Sequence, residues 1–339
     1  MGRMRIAGMG VLVFVACTTA STAMAQDATL HMTVDTTAHA LVFELAPVTI
    51  PGGQMMETPA RSMALPVDGW LQGYAVDLVD ANGHPLSHNL IHHVNLIAPE
   101  RRELFSPIML RIGAVGAETP AVELPRLFGF RVRPGDTLLV TAMLQNPTAH
   151  DIIGARVIVR MPFASAGGWW HPISIYPMYM DVMPPAGPKS YDMPAGHSEQ
   201  SWTARPAVAG RILGIGAHVH KYATALRFED VTAHRVIWNA RPIMDRSGEP
   251  IDMPLRTYWW RLGLPLDPTH EYRVTAVYEN PTGHVIPMGA MGALGGVIVP
   301  DNPGDWPRVD RGSSDYVLDL HSTTTRDSSM AMGEMAGMH

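Results

Sequence analysis

Apolar and polar residues alternate over short runs along almost the whole chain. ALVFELAPVTI (40–50), GYAVDLVD (73–80), LIHHVNLIA (90–98), TLLVTAMLQ (137–145) and ARVIVRM (155–161) occupy the first half, and RILGIGAHVH, ALRFED, RVIWNA, YRVTAVYEN and LGGVIVP the second. A period of two is that of a strand with one buried face, and no long 3.6-residue period competes with it. The stretches between carry Gly, Pro, Asn and Asp, the residues that turns require. With 29 prolines and 31 glycines in 339 residues, the pattern predicts an all-β protein built of antiparallel sandwiches.

A repeat divides those strands into two sets. VTAMLQNPTAHDI, starting at Val140, recurs as VTAVYENPTGHVI, starting at Val274, with eight identities in thirteen positions, and each copy follows a histidine pair by a similar distance. Two related domains are the economical reading. The expected organisation is a leader over 1–25, an N-terminal sandwich over 26–183, a C-terminal sandwich over 184–305 and a flexible Met-rich tail over 306–339. The join is placed in the Pro- and Met-rich stretch near residues 180–197. The tail ends SSMAMGEMAGMH, in which Met330, Met332, Met335, Met338 and His339 cluster thioethers; a segment so short and small-residue-rich cannot pack a core.

The leader has three parts: Arg3 and Arg5, an apolar stretch from Ile6 to Ala16, and Ala23-Met24-Ala25 before Gln26. That is the construction of a secretory signal, so the chain is expected to be exported, to the periplasm or the medium. Lipoprotein processing at Cys17 is the alternative, although Phe14-Val15-Ala16 matches a lipobox imperfectly. No other segment approaches the roughly 20 apolar residues of a membrane span. Without Arg3 and Arg5, 23 basic residues face 31 acidic ones, a formal charge of −8, and Lys189 and Lys221 are the only lysines. Nucleic acid is therefore an unsuitable partner.

Cys17 is the only cysteine, which excludes disulfides within the chain, thiolate zinc sites and blue-copper sites. A metal must then be held by His, Met or carboxylate. His218-Val219-His220 lies in a strand-like run, where residues i and i+2 point to one face and can share an ion. His92-His93 is different: neighbours on a regular strand point to opposite faces, so this pair can act together only where a bulge or strand end re-aims one of them. Thioether favours Cu(I) and imidazole accepts Cu(I) and Cu(II), so His with Met in an exported chain points to copper, with zinc possible at an all-His site.

LIHHVNLIAP, AHVHKYATALRFED and GAMGALGGVIV, in that order and spacing within residues 70–300, resemble the three metal motifs of the copper type II, ascorbate-dependent monooxygenases, the family of peptidylglycine alpha-hydroxylating monooxygenase and dopamine beta-monooxygenase. The resemblance implies two tandem antiparallel jelly-roll-like sandwich domains and two copper ions. One ion, at His92, His93 and a third histidine, would pass electrons. The other, at His218, His220 and Met291, would bind oxygen and direct hydrogen abstraction from a small organic substrate, with ascorbate or another one-electron reductant as cosubstrate. Met288, in the same Gly-rich turn, is the alternative to Met291.

Several positions depart from that pattern. The family's third histidine follows Leu-Gln within a strand, whereas Leu144-Gln145 runs into Asn146-Pro147 here and the next histidine is His150. His150 is therefore the candidate third ligand, although it matches His284 in the repeat, and a shared turn accounts for both without a metal. His284 is itself a candidate substitute ligand near Met288 and Met291. Where peptide-hydroxylating members carry an arginine and a tyrosine, this chain has Gly216 and Gly295, which argues against a peptidylglycine substrate. Trp169-Trp170 and Tyr258-Trp259-Trp260 are candidate pocket walls. The leading expectation is an exported copper monooxygenase-like protein acting on a small molecule and O2. The alternative is a noncatalytic copper-handling protein on the same scaffold, and a third reading is a metal-free carbohydrate- or partner-binding double sandwich.

Overall fold

The computed structural model describes residues 28–116, 121–246, 250–258, 263–324 and 329–331. The expected leader with Cys17, the tail residues Met332, Met335, Met338 and His339, and Trp259 and Trp260 lie outside them. The described chain is all-β, with one α-helix, Ser314–Thr324. None of its helices is long and apolar enough to cross a membrane.

The first half packs two sheets face to face. One carries Ala40–Ile50, Gly73–Val79 and Ile152–Ser165; the other carries Gln54–Glu57, Ile91–Arg102, Met109–Val115 and Thr137–Asn146. Alternation decides what lies between them: Leu41, Phe43, Leu45, Val94, Leu96, Val140, Ala142 and Leu144 all point inward and are buried. Pairing is antiparallel apart from a short parallel contact of Phe128–Val132 with Ile173–Ser174. The second half sets a sheet of Tyr176–Asp181, Gly210–Val219 and Gly292–Pro300 against one of Gly196–Ala204, Ala223–Asp230, Arg235–Ala240 and Tyr272–Asn280. Gly292 lets these layers approach closely: a Cβ there would stand 2.6 Å from that of Ala276.

The halves meet earlier than expected. Ile173–Ser174 belongs to the first sandwich and Tyr176–Asp181 already pairs with Gly292–Pro300 of the second, because Ile175 and Tyr176 are buried and continue the core. Phe105 of the first half sits edge-on to Phe228 and Tyr272 of the second, 6.1 and 5.9 Å between ring centres.

The expected flexible tail is packed as far as Thr324. Trp306 stacks on Tyr176 at 4.1 Å and donates its indole N–H to the Arg102 carbonyl at 3.0 Å. The helix that follows buries Tyr316 against Ile97, Met109 and Leu139. Asp319, also buried, pairs with Arg111 and accepts the Met109 amide at 3.0 Å. Further on, Ser329–Ala331 adds an edge strand to Gln54–Glu57. The low apolar content of the last residues does not describe 306–324, where Trp306, Tyr316 and Asp319 are buried.

Candidate metal centres

The His-His strand, Ile91–Arg102, pairs with Thr137–Asn146 in regular register from Leu139↔Ile97 to Met143↔His93; the next pair is Leu144↔Ile91. One residue has been inserted, and it is His92. The bulge that the adjacent pair requires is therefore present, and burial records its effect. Ile91 and Val94 are both fully buried, while His92 and His93 between them are half-buried. Strict alternation would have sent one of these imidazoles into the core. Instead their Nδ1 atoms lie 2.9 Å apart, a hydrogen bond in which one imidazole donates to the other. With metal–nitrogen bonds of about 2.0 Å, two nitrogens at that separation would subtend about 90° at a shared ion, once the proton between them is lost.

His150 sits in a turn. Asn146 donates from Nδ2 to the His150 carbonyl at 2.9 Å and accepts from the Thr148 amide at 3.0 Å and the Thr148 hydroxyl at 2.7 Å. The second copy of the repeat repeats each bond: Asn280 to the His284 carbonyl at 2.8 Å, and the Thr282 amide and hydroxyl to Asn280 at 3.1 and 2.7 Å. The recurring Asn-Pro-Thr-x-His segment is thus a turn whose histidine contributes its carbonyl, and both imidazoles stand on the exposed surface. Among the described residues no three His, Cys, Asp or Glu side chains gather into a group able to hold a metal.

The second centre is built at the end of two strands. Gly210–Val219 and Gly292–Pro300 pair down to His218↔Ala293 and Val219↔Gly292; the next positions in that register are His220 and Met291. Val219 points into the core, so His218 and His220 share the opposite face, their rings 5.5 Å apart between centres and nearly perpendicular. Met291 is half-buried and stands one residue beyond the last pair, opposite His220 in sequence register. The two backbones do not bond to each other here. Tyr278 places its phenolic oxygen between them, accepting the His220 and Met291 amides at 3.0 Å each and donating to the Met291 carbonyl. Burial pushes the Tyr278 hydroxyl above its ordinary value, outweighing the amides that favour the phenolate, so it keeps the proton that it donates. Met288 is held differently, in the left-handed region at φ 50° with its amide on Asp192 Oδ1 at 2.9 Å.

Tyr278 is the residue that sequence reasoning missed. Its signal was the repeat: it occupies the position of Leu144, and a tyrosine replacing a core leucine brings a hydroxyl that needs partners. The repeat also misleads in one respect. Its first copy, Thr137–Asn146, lies directly beside the His-His strand, whereas its second, Tyr272–Asn280, pairs with Gly196–Ala204 and Ala223–Asp230 in the opposite sheet and hydrogen-bonds the end of the His-x-His strand through that hydroxyl.

Gly216 and Gly295 face each other across the same two strands, on the face that carries His218. A Cβ at Gly295 would meet nothing within 4 Å, and one at Gly216 would meet only Leu255. Bare backbone and an exposed leucine therefore adjoin the second centre. Trp169 is almost fully exposed, and an open cavity of about 490 Å³ lined by Val67, Asp68, Phe163, Ser165, Ala166 and Gly167 includes none of the candidate ligands. Tyr258 is buried in the core.

No family model matches the chain, and no curated protein matches it. Among solved structures it is similar to PNGase F, a glycosylasparaginase from Flavobacterium meningosepticum, at 10% identity and a TM-score of 0.38 over 77% of this chain and 96% of that one. It is also similar to a secreted protein from Eubacterium rectale, at 10% identity and a TM-score of 0.22 over 73% of this chain and 74% of that one.

Proposed function

We propose that this chain is an exported copper-dependent monooxygenase-like protein that hydroxylates a small organic substrate with O2 and an external one-electron reductant. The observation that carries the reading is the bulge at His92, which turns two adjacent histidines to one side of a strand, together with His218 and His220 on one face of the other sandwich and Met291 opposite His220 in sequence register. Copper at such sites supplies one-electron redox chemistry and oxygen activation. The chain's own residues do the positioning. The bulge brings two imidazole nitrogens to chelating distance, and Tyr278 fixes the backbone on either side of the second donor set. Gly216 and Gly295 leave backbone without side chains beside it, in place of an arginine that would hold a substrate carboxylate.

Copper titration followed by ascorbate-dependent oxygen uptake and product analysis over a panel of small aromatic and amine compounds tests the reading. Two bound ions with coupled product formation support it. Two bound ions without product leave copper handling, and no binding removes copper from the function altogether.

A further inference from the structure

The bulge in the His-His strand has a partner. Where a strand carries one extra residue, two of its residues oppose a single residue on the neighbouring strand. The two are His92 and His93, and the single one is Met143. Burial puts all three on the same surface of the sheet. Ile91 and Val94 flank the histidines and Ala142 and Leu144 flank the methionine, and all four point into the core. Met143, like the histidines, is half-buried. Directly opposed residues of antiparallel strands hold their Cβ atoms about 4.5–5.5 Å apart, a gap that an unbranched thioether side chain spans readily.

We propose that Met143 is the third protein ligand of the His92–His93 centre. This rests on the copper reading above and gives that centre a donor set of two imidazoles and one thioether. Such a set is soft and selects Cu(I) over Cu(II) and over zinc. The role of His150 is then the turn that its carbonyl closes. Glu57 faces Met143 from the far side, in the strand Gln54–Glu57, which places it two strands, or about 10 Å, from His93. A carboxylate ligand from there would make a harder site, so the preference between metals separates the two residues.

The test uses the full chain in a background that carries His218→Ala and Met291→Leu, which silences the second centre and removes its sulfur, and in which Met330, Met332, Met335 and Met338 are replaced by leucine, which removes the thioethers of the tail. Cu(I) affinity is measured by competition with a chromophoric chelator, Cu(II) and Zn(II) affinities by the same approach, and the copper–sulfur contact by X-ray absorption at half an equivalent of Cu(I). Losing even an outer-shell partner of a metal ligand costs 10–100-fold in affinity, so Met143→Leu should weaken Cu(I) by at least about tenfold and abolish the sulfur contact. Cu(II) and Zn(II) should weaken by less than about threefold. Leucine conserves the side-chain volume, and circular dichroism and thermal unfolding should stay close to the parent. An unchanged Cu(I) affinity with the sulfur contact retained would overturn the assignment, as would a loss produced by His150→Ala or Glu57→Gln but not by Met143→Leu. His92→Ala distinguishes the two levels. If it abolishes binding while Met143→Leu does not, only the third ligand is wrong; if it too leaves binding unchanged, the copper centre itself fails.

Discussion

Tyr278 holds His220 by its backbone: the phenolic oxygen accepts the His220 amide at 3.0 Å, one position beyond the last pair of the strand ladder, and the same oxygen accepts Met291. One hydroxyl thus ends the pairing of two strands and sets the spacing of two candidate ligands. Tyr278→Phe keeps the ring in the core but strands two amides, each unsatisfied buried group costing about 1–3 kcal/mol. The variant should remain folded with a lowered midpoint and bind the second copper 10–100-fold more weakly, the usual scale for a support lost behind a metal ligand. Copper titration of a His92→Ala, Tyr278→Phe protein checks it. An affinity equal to that of His92→Ala alone would reduce Tyr278 to a packing role.

Two separate centres make a stoichiometric prediction. His218→Ala should remove one of two bound copper ions and leave the other, and His92→Ala should do the converse. Each substitution is made at a half-buried or exposed position, so the fold should persist. Metal analysis after dialysis against a weak chelator gives the count. If either substitution removed both ions, the centres would be one shared site.

The strands were legible in the sequence wherever one face is buried. All ten alternating segments form strands, because moving such a segment by one residue would expose its whole apolar set. What alternation cannot show is where it breaks. LIHHVNL reads identically with or without an inserted residue, and only the neighbour's register, Met143↔His93 followed by Leu144↔Ile91, reveals that His92 is extra. His150 illustrates the converse. It is the first histidine after Leu144-Gln145, which made it the candidate third ligand, and the turn that the Asn146 amide closes on its carbonyl is visible only in the structure. Met143 was hidden for the same reason as the bulge: its relation to the histidines lies across two strands. The packing of 306–324 depends on Asp319 meeting Arg111 across more than 200 residues, which no local pattern encodes.

That contact supports a prediction about the C-terminal segment. Asp319 is almost wholly buried and accepts from both Arg111 and the Met109 amide. Removing one charge of a buried pair costs about 3–5 kcal/mol. Asp319→Asn should release the helix Ser314–Thr324 before the sandwiches unfold, seen as faster amide exchange over 314–324 with protection in Ile91–Arg102 retained. Unchanged exchange in the helix would show that Tyr316 and Trp306 anchor the segment by themselves.

Glu103 lies in the same buried network and fixes a pH dependence. Burial pushes its carboxyl up to about 8 from an ordinary 4.5, even though the Arg111 guanidinium and the Arg111 amide, which donates to Oε1 at 2.7 Å, both pull it down. In the unfolded chain the group loses its proton near 4.5, whereas in the folded chain it keeps that proton until about 8. Between those values the folded state binds more protons, so stability falls as pH rises through the window and levels off above it. Burial also raises Asp181, where it outweighs the hydrogen bond that Tyr179 donates, and its slope has the same sign. The diagnostic quantity is therefore the difference between the protein and Glu103→Gln, which cannot ionise. Thermal midpoints measured from pH 5 to pH 9 should decline more steeply for the parent, with the variant gaining on it by several degrees across the range, since 1 kcal/mol moves a midpoint by about 2–4 °C in a chain of this size. Two parallel curves would mean that Glu103 is ionised at neutral pH and balanced by Arg111.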